Sequence, residues 1–293
     1  MRVLIIGGNG MLGHKLVQVL SRRFQVYYTI RGKAVDLRKF GFFDPDRAVE
    51  NIDVKEESAI LRAIETISPE VVINAAGIVK QRPDSSDVIE TLLVNSILPH
   101  RLSGLTVKFG FRLITISTDC VFSGRKGNYS ETDETDATDV YGRSKQLGEP
   151  VNERTLTIRT SIIGRELDTG HGLVEWFLAR SGERINGYRN AIFSGFPTVV
   201  LADILSGLIT DFPYLSGLYH VSAEPISKFD LLGLINEKFM AGCEIIPVDE
   251  PRIDRSLDSL KFRSATGFKP LSWEEMIGIM FRDAEETDYV RRP

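Results

Sequence analysis

Hydrophobic positions along the chain fall into two alternating kinds of run. Residues 3–6 (VLII) are continuously apolar, as in a strand buried on both faces. Met11, Leu12, Leu16, Val19 and Leu20 then recur at helical spacing. QVYYTI (25–30) predicts a second strand, ESAILRAIETI (57–67) a helix and EVVINAA (70–76) a strand. VIETLLVNSILPHRLSGL (88–105) predicts a further helix and FRLITIS (111–117) a strand. Strand–helix alternation with continuously apolar strands implies an α/β fold, a doubly wound parallel sheet covered on both faces.

Beyond Lys145 the pattern loosens. TLTIRTSII (155–163) and LSGLYHVSA (215–223) read as core strands. GLVEWFLARSG (172–182), KFDLLGLINEKFM (228–240) and WEEMIGIMFRDAEE (273–286) read as helices. This half is expected to add strands to the sheet and also to build a smaller lobe, the two interleaved in sequence.

Composition narrows the classes. The 293 residues are 42% apolar and 26% charged, ordinary for a globular chain, and a net charge of −4 argues against a nucleic-acid partner. The two cysteines, Cys120 and Cys243, have no metal-ligand spacing, so no metal and a reducing compartment are expected. The first apolar run is too short for a signal-peptide core or a membrane span. A cytoplasmic location with no membrane partner is the expectation. Asn128-Tyr-Ser then reads as a chance glycosylation match.

The loop GGNGMLG places Gly7, Gly8, Gly10 and Gly13 between a strand and a helix. Such glycines let the chain turn tightly, bring backbone N–H groups to a pyrophosphate and pack the helix close to the sheet. Gly7, Gly10 and Gly13, with Met11 and Leu12 at the helix start, are therefore candidate dinucleotide contacts. At the end of the second strand an NAD site wants an acid for the ribose hydroxyls. Arg31 stands there instead, with Lys33 close by, which favours a 2′-phosphate: NADP(H) is expected, with NAD(H) as the second candidate.

Tyr141 and Lys145 lie four apart, one turn of a helix beginning near Val140. An ammonium beside a phenol stabilises the phenolate, so such a Tyr can pass a proton to a carbonyl oxygen while hydride reaches the carbon. A strand-end hydroxyl, Thr118, can hold that oxygen. Strand alternation turns its neighbour Ser117 away. The acidic run ETDETDATD reads as a solvated loop.

Together, the glycine loop, the strand-end Thr and the Tyr-x-x-x-Lys resemble the extended short-chain dehydrogenase/reductase superfamily over almost the whole chain. The resemblance implies a Rossmann-like fold with Thr118, Tyr141 and Lys145 as catalytic residues. It adds Asp53 at the adenine, NAAG (Asn74, Ala75, Ala76, Gly77) along the cofactor, and Asn95 as a helix asparagine. The stretch STDCVFSG…ETD…VYGRSKQLGE is similar to the dTDP-4-dehydrorhamnose reductase family, as are IRTSIIG, GLYHVSA and SGFPT. That family reduces the 4-keto group of a nucleotide-linked deoxysugar. Two departures face the expected substrate side: Ile192 and Phe193 before SGFPT, and GIVKQRP after NAA.

The implied layout is an NADP-binding Rossmann domain over 1–165, with later strands from about 188–222. A discontinuous substrate-binding lobe lies mainly in 166–293. Lys80, Arg82, Asp119, Cys120, Arg159, Trp176 and Arg255 are candidates for holding the nucleotide sugar, through cations for the diphosphate and apolar or aromatic surface for the base. A homodimer stays open. Three other readings compete. A sugar-nucleotide dehydratase needs Asp–Glu after the Thr, and here Asp119 is followed by Cys120. An epimerase–reductase resembling GDP-fucose synthase would use Cys120 and His171. A non-catalytic NADP-binding subunit, resembling the regulatory subunit of methionine adenosyltransferase, would bind without turnover.

Overall fold

The structure is a computed structural model describing residues 1–79, 87–168, 170–287 and 289. Its largest sheet has seven parallel strands. In chain order these are β1 (Arg2–Ile6), β2 (Gln25–Thr29), β3 (Ala48–Val49), β4 (Val71–Asn74), β5 (Arg112–Thr118), β6 (Thr155–Thr160) and a last strand Gly217–His220. Across the sheet they run β3-β2-β1-β4-β5-β6 and then the last strand. The chain leaves β1 in one direction and returns through β4 on β1's other side, pairing Ile6 with Asn74. That reversal creates a crevice at the carboxyl ends of β1 and β4, where doubly wound sheets bind ligands.

Close contacts divide the chain into two units. The first comprises Met1–Ser117, Asp139–Ile158 and Ala202–Leu218; the second comprises Thr118–Thr138, Arg159–Leu201 and Tyr219–Pro293.

In the first unit the helices include α1 (Met11–Leu20), α2 (Glu57–Ile67), α3 (Val88–Leu92), α4 (Leu98–Phe109) and α5 (Val140–Leu147). Leu4, Ile6 and Val72 of the sheet pack with Ile60 and Ile64 of α2 and Leu98 and Leu102 of α4 in one buried cluster. Apolar spacing predicts a single helix over 88–105. The structure instead inserts a π-helical stretch, Leu93–Ile97, between α3 and α4. Apolar periodicity does not register one widened turn, and such turns gather at functional sites.

The second unit holds small sheets and short helices. Arg184–Tyr188 pairs in parallel with Glu244–Val248, and Ala191–Phe193 lies between Ile226–Ser227 and Ile253–Asp254. Its helices include Leu173–Leu178, Lys228–Lys238, Leu260–Thr266 and Trp273–Glu286, the last opened by a Ser272–Glu275 capping box. The run 155–163 is split: Ile162–Ile163 leaves the main sheet and pairs with Phe196–Pro197. Residues 198–210, within the stretch expected to supply later strands, form a helix, and the main sheet takes Gly217–His220.

Candidate active site

The loop after β1 is built for close approach. Gly7 has φ +85°, and a Cβ there would sit 3.1 Å from the backbone of Ala76 in the turn after β4. A Cβ on Gly13 would come within 1.9 Å of the Gly7 carbonyl oxygen. Gly7 N–H donates to Thr29 Oγ1 (3.0 Å) and Gly8 N–H to the Thr29 carbonyl (2.9 Å), tying the loop to β2. The first-turn amides of Met11, Leu12 and Gly13 lie at the positive end of α1, which has no acid in its first turn. A pyrophosphate fits this cradle through the first-turn amides and positive end of α1, beside a glycine backbone bare of side chains, while the Gly7, Gly8 and Gly10 amides hold the loop itself.

The other residues expected to meet a dinucleotide have the following settings. Arg31 is exposed just past β2, as is Lys33. Asp53 accepts from Lys55 N–H (3.0 Å) and lies 3.4 Å from Lys55 Nζ, which also pairs with Glu90. Asn74, at the end of β4, donates to Thr115 Oγ1 (3.2 Å) and accepts from Ala76 N–H (3.3 Å), shaping the turn through Ala75 to Gly77. Buried Asn95, inside the π stretch, clamps both backbone groups of Ile78 at 2.9 Å and donates to Ser144 Oγ (3.1 Å). It therefore joins the turn after β4 to α5.

Asp139 caps α5, accepting from Gly142 N–H at 2.8 Å, so the helix begins at Val140 and sets Tyr141 and Lys145 one turn apart. Ser144, fully buried between them, donates to the Tyr141 carbonyl (2.8 Å). Lys145 Nζ donates to the Ile116 carbonyl of β5 at 2.7 Å, and a Cβ on Gly77 would lie 3.8 Å from it. Burial lowers the Lys145 pKa to about 8, against the nearby Glu149 charge. Ser117 donates to Glu149 Oε1 (2.6 Å).

In the second unit, Thr118 donates to Asp119 Oδ1 and accepts from Cys120 N–H, both at 3.1 Å. Burial pushes the Asp119 carboxyl up, opposed by hydrogen bonds from Cys120 and Thr118 and by the charges of Arg255 and Lys228. Sequence reasoning missed Lys228, whose place just after a helix cap gave no signal of this cluster. Burial, then Asp119, pushes the Cys120 thiol up to about 12, too high for a base at neutral pH. His171 is exposed, and its backbone N–H donates to Glu166. Arg255 donates to the Phe122 carbonyl (2.8 Å). Arg159 is 4% exposed, hydrogen-bonded to His220 (3.2 Å) and stacked over Phe122, so it is part of the interior. Trp176 lies under the Arg180 guanidinium at 4.7 Å. Lys80 and Arg82 lie outside the described residues. Among the described residues no cluster of His, Cys, Asp and Glu could hold a metal ion, and no helix is long and apolar enough to cross a membrane.

The family described as the RmlD substrate binding domain matches residues 1–285. A dTDP-4-dehydrorhamnose reductase of Aggregatibacter actinomycetemcomitans is 26% identical over 302 residues, spanning 94% of this chain and 97% of that protein. The methionine adenosyltransferase 2 subunit beta of Xenopus laevis is 24% identical over 267 residues, spanning 85% of this chain and 76% of that one. Among solved structures, dTDP-4-dehydrorhamnose reductase of Bacillus anthracis, in complex with NADP, aligns with a TM-score of 0.80 at 23% identity. The alignment covers 96% of this chain and 99% of that one, a likeness of fold.

Proposed function

We propose, from the premise that this chain belongs to the RmlD substrate binding domain family, that it reduces the 4-keto group of a nucleotide-linked deoxysugar with NADPH. The observation that carries this reading is the setting of α5. Tyr141 and Lys145 share one turn, and the Lys145 ammonium is drawn to β5 beside Gly77, on the same turn that touches the glycine loop. The first unit is the cofactor-binding part and the second the substrate-binding part in this reading. The bound dinucleotide supplies hydride to the ketone carbon. Tyr141 gives a proton to the ketone oxygen, Lys145 stabilises the phenolate left behind, and Thr118 holds the oxygen. To donate there, the Thr118 hydroxyl must turn its proton from Asp119. Gly7, Gly10, Met11, Leu12 and Gly13 hold the pyrophosphate, and Arg31 the 2′-phosphate.

The half-buried, high-pKa thiol of Cys120 disfavours the epimerase–reductase alternative. A cytoplasmic location belongs to this reading, and a homodimer stays open. The test is NADPH consumption with a panel of 4-keto sugar nucleotides, dTDP-linked compounds first. Turnover with at least one supports the proposal. NADPH binding without turnover on any, with a second enzyme co-purifying, would replace it by the binding-subunit reading, which the similarity to methionine adenosyltransferase 2 subunit beta favours.

A further inference from the structure

Two successive residues at the end of β5 hold two charged groups four residues apart at the end of α5. The Ile116 carbonyl accepts from Lys145 Nζ at 2.7 Å, and Ser117 Oγ donates to Glu149 Oε1 at 2.6 Å. Ser117 is 5% exposed and Glu149 is half-buried, so their hydrogen bond is partly shielded from water. Glu149 is kept in reach by the residue before it. A Cβ on Gly148 would fall 1.8 Å from the Asn95 carbonyl oxygen, so only glycine lets the chain pass this close to the π stretch. The Ser96 hydroxyl adds a 2.7 Å bond to the Ser144 carbonyl on the same face.

We propose that Ser117 and Glu149 are positioning residues for Lys145: the Ser117 hydroxyl locks the Glu149 carboxylate in place, and that carboxylate is the fixed counter-charge of the ammonium drawn into the turn after β4. The proposal deepens the reductase reading and rests on it for its consequence in turnover. Burial alone works against the charged amine, and Glu149 is the group that opposes it. Other acids on segments packed against α5 are otherwise engaged. Glu90 pairs with Lys55, Asp87 caps α3, and Asp139 caps α5 itself. The phenol of Tyr141 stands on Lys145's own helix, and Arg143, two residues earlier, is exposed.

The test is a titration of the full chain labelled with [13Cε]lysine, followed by NMR, the Lys145 resonance being the one lost in Lys145→Arg. Glu149→Gln is expected to lower the Lys145 midpoint by about one pH unit. Ser117→Ala should lower it by less, and Glu149→Asp should keep it near the wild-type value. Because the Ser acts through the Glu, Ser117→Ala should add nothing in the Glu149→Gln background. An unmoved midpoint in Glu149→Gln, or additive shifts in the double variant, would overturn the proposal. Should Glu149→Gln fail to fold, Ser117→Ala decides alone, since it removes a single oxygen: no shift there is a refutation. The readout needs no turnover. Shifts as expected in a chain that reduces no ketone would sink the reductase reading and leave the pair standing. Turnover with an unmoved Lys145 would do the reverse.

Discussion

Single atoms decide much of this site. Gly13 has no room for a methyl group, because its Cβ would lie 1.9 Å from a carbonyl oxygen. Gly13→Ala is expected to cost about 1–3 kcal/mol of stability through overpacking and to weaken NADPH binding. Denaturant melts and fluorescence titration check both. Arg31 is exposed, so its effect should be on the cofactor alone. Arg31→Ala is expected to raise the KM for NADPH about tenfold, a loss of about 1.4 kcal/mol, while NADH kinetics stay unchanged. Lys145 gives a pH signature. Its folded pKa of about 8 lies below the ordinary 10.5, so the amine is charged below 8 and loses its proton as pH rises through 8. The unfolded chain holds that proton more tightly, so this group makes stability rise between about pH 8 and 10.5. Activity should run the other way: kcat/KM falls above pH 8 as the phenolate loses its cation. Lys145→Arg should move that limb to higher pH, and an unchanged limb would assign it to another group.

At the scale of elements, the π stretch and α5 act as one piece. Asn95→Ala would strip partners from the N–H and carbonyl of Ile78 and from Ser144, all in buried surroundings. A loss of about 2–4 kcal/mol in a urea melt is expected, with turnover falling further than stability because the turn and α5 lose their common tie. The sequence made the elements themselves readable where apolar spacing was strong: β1, α1, β2, α2, β4 and β5 follow from it directly. The start of α5 near Val140 was expected from the Tyr141–Lys145 spacing, and the Asp139 cap fixes it there. The π stretch did not, because its helical hydrogen bonding shifts without changing which residues are apolar. Nor did the helix Thr198–Thr210, whose sequence TVVLADILSGLIT is apolar on nearly every side and reads equally as a strand. The pair Arg184–Tyr188 and Glu244–Val248 also escaped, since each strand is short and carries polar residues on its open face.

For the whole molecule, binding and folding are linked. A cofactor cradle built from the folded loop binds only the native chain, so NADPH at about 100 times its Kd should stabilise the protein by about 2.7 kcal/mol. A thermal midpoint indifferent to NADPH would remove the basis for the cofactor assignment. The doubly wound parallel sheet and the glycine loop were legible from sequence because backbone geometry dictates residue type there. The surroundings of Thr118 were not, because Lys228 and Arg255 act on Asp119 from segments more than a hundred residues further along the chain. The family membership, the crevice at β1 and β4, and the placement of α5 converge on a proton delivered by one phenol. The most direct measurement is therefore the turnover of Tyr141→Phe with NADPH and the best ketosugar substrate, alongside its NADPH affinity. The account requires kcat/KM to fall about 10²–10⁴-fold with cofactor affinity kept. Wild-type turnover in the Phe variant would contradict it.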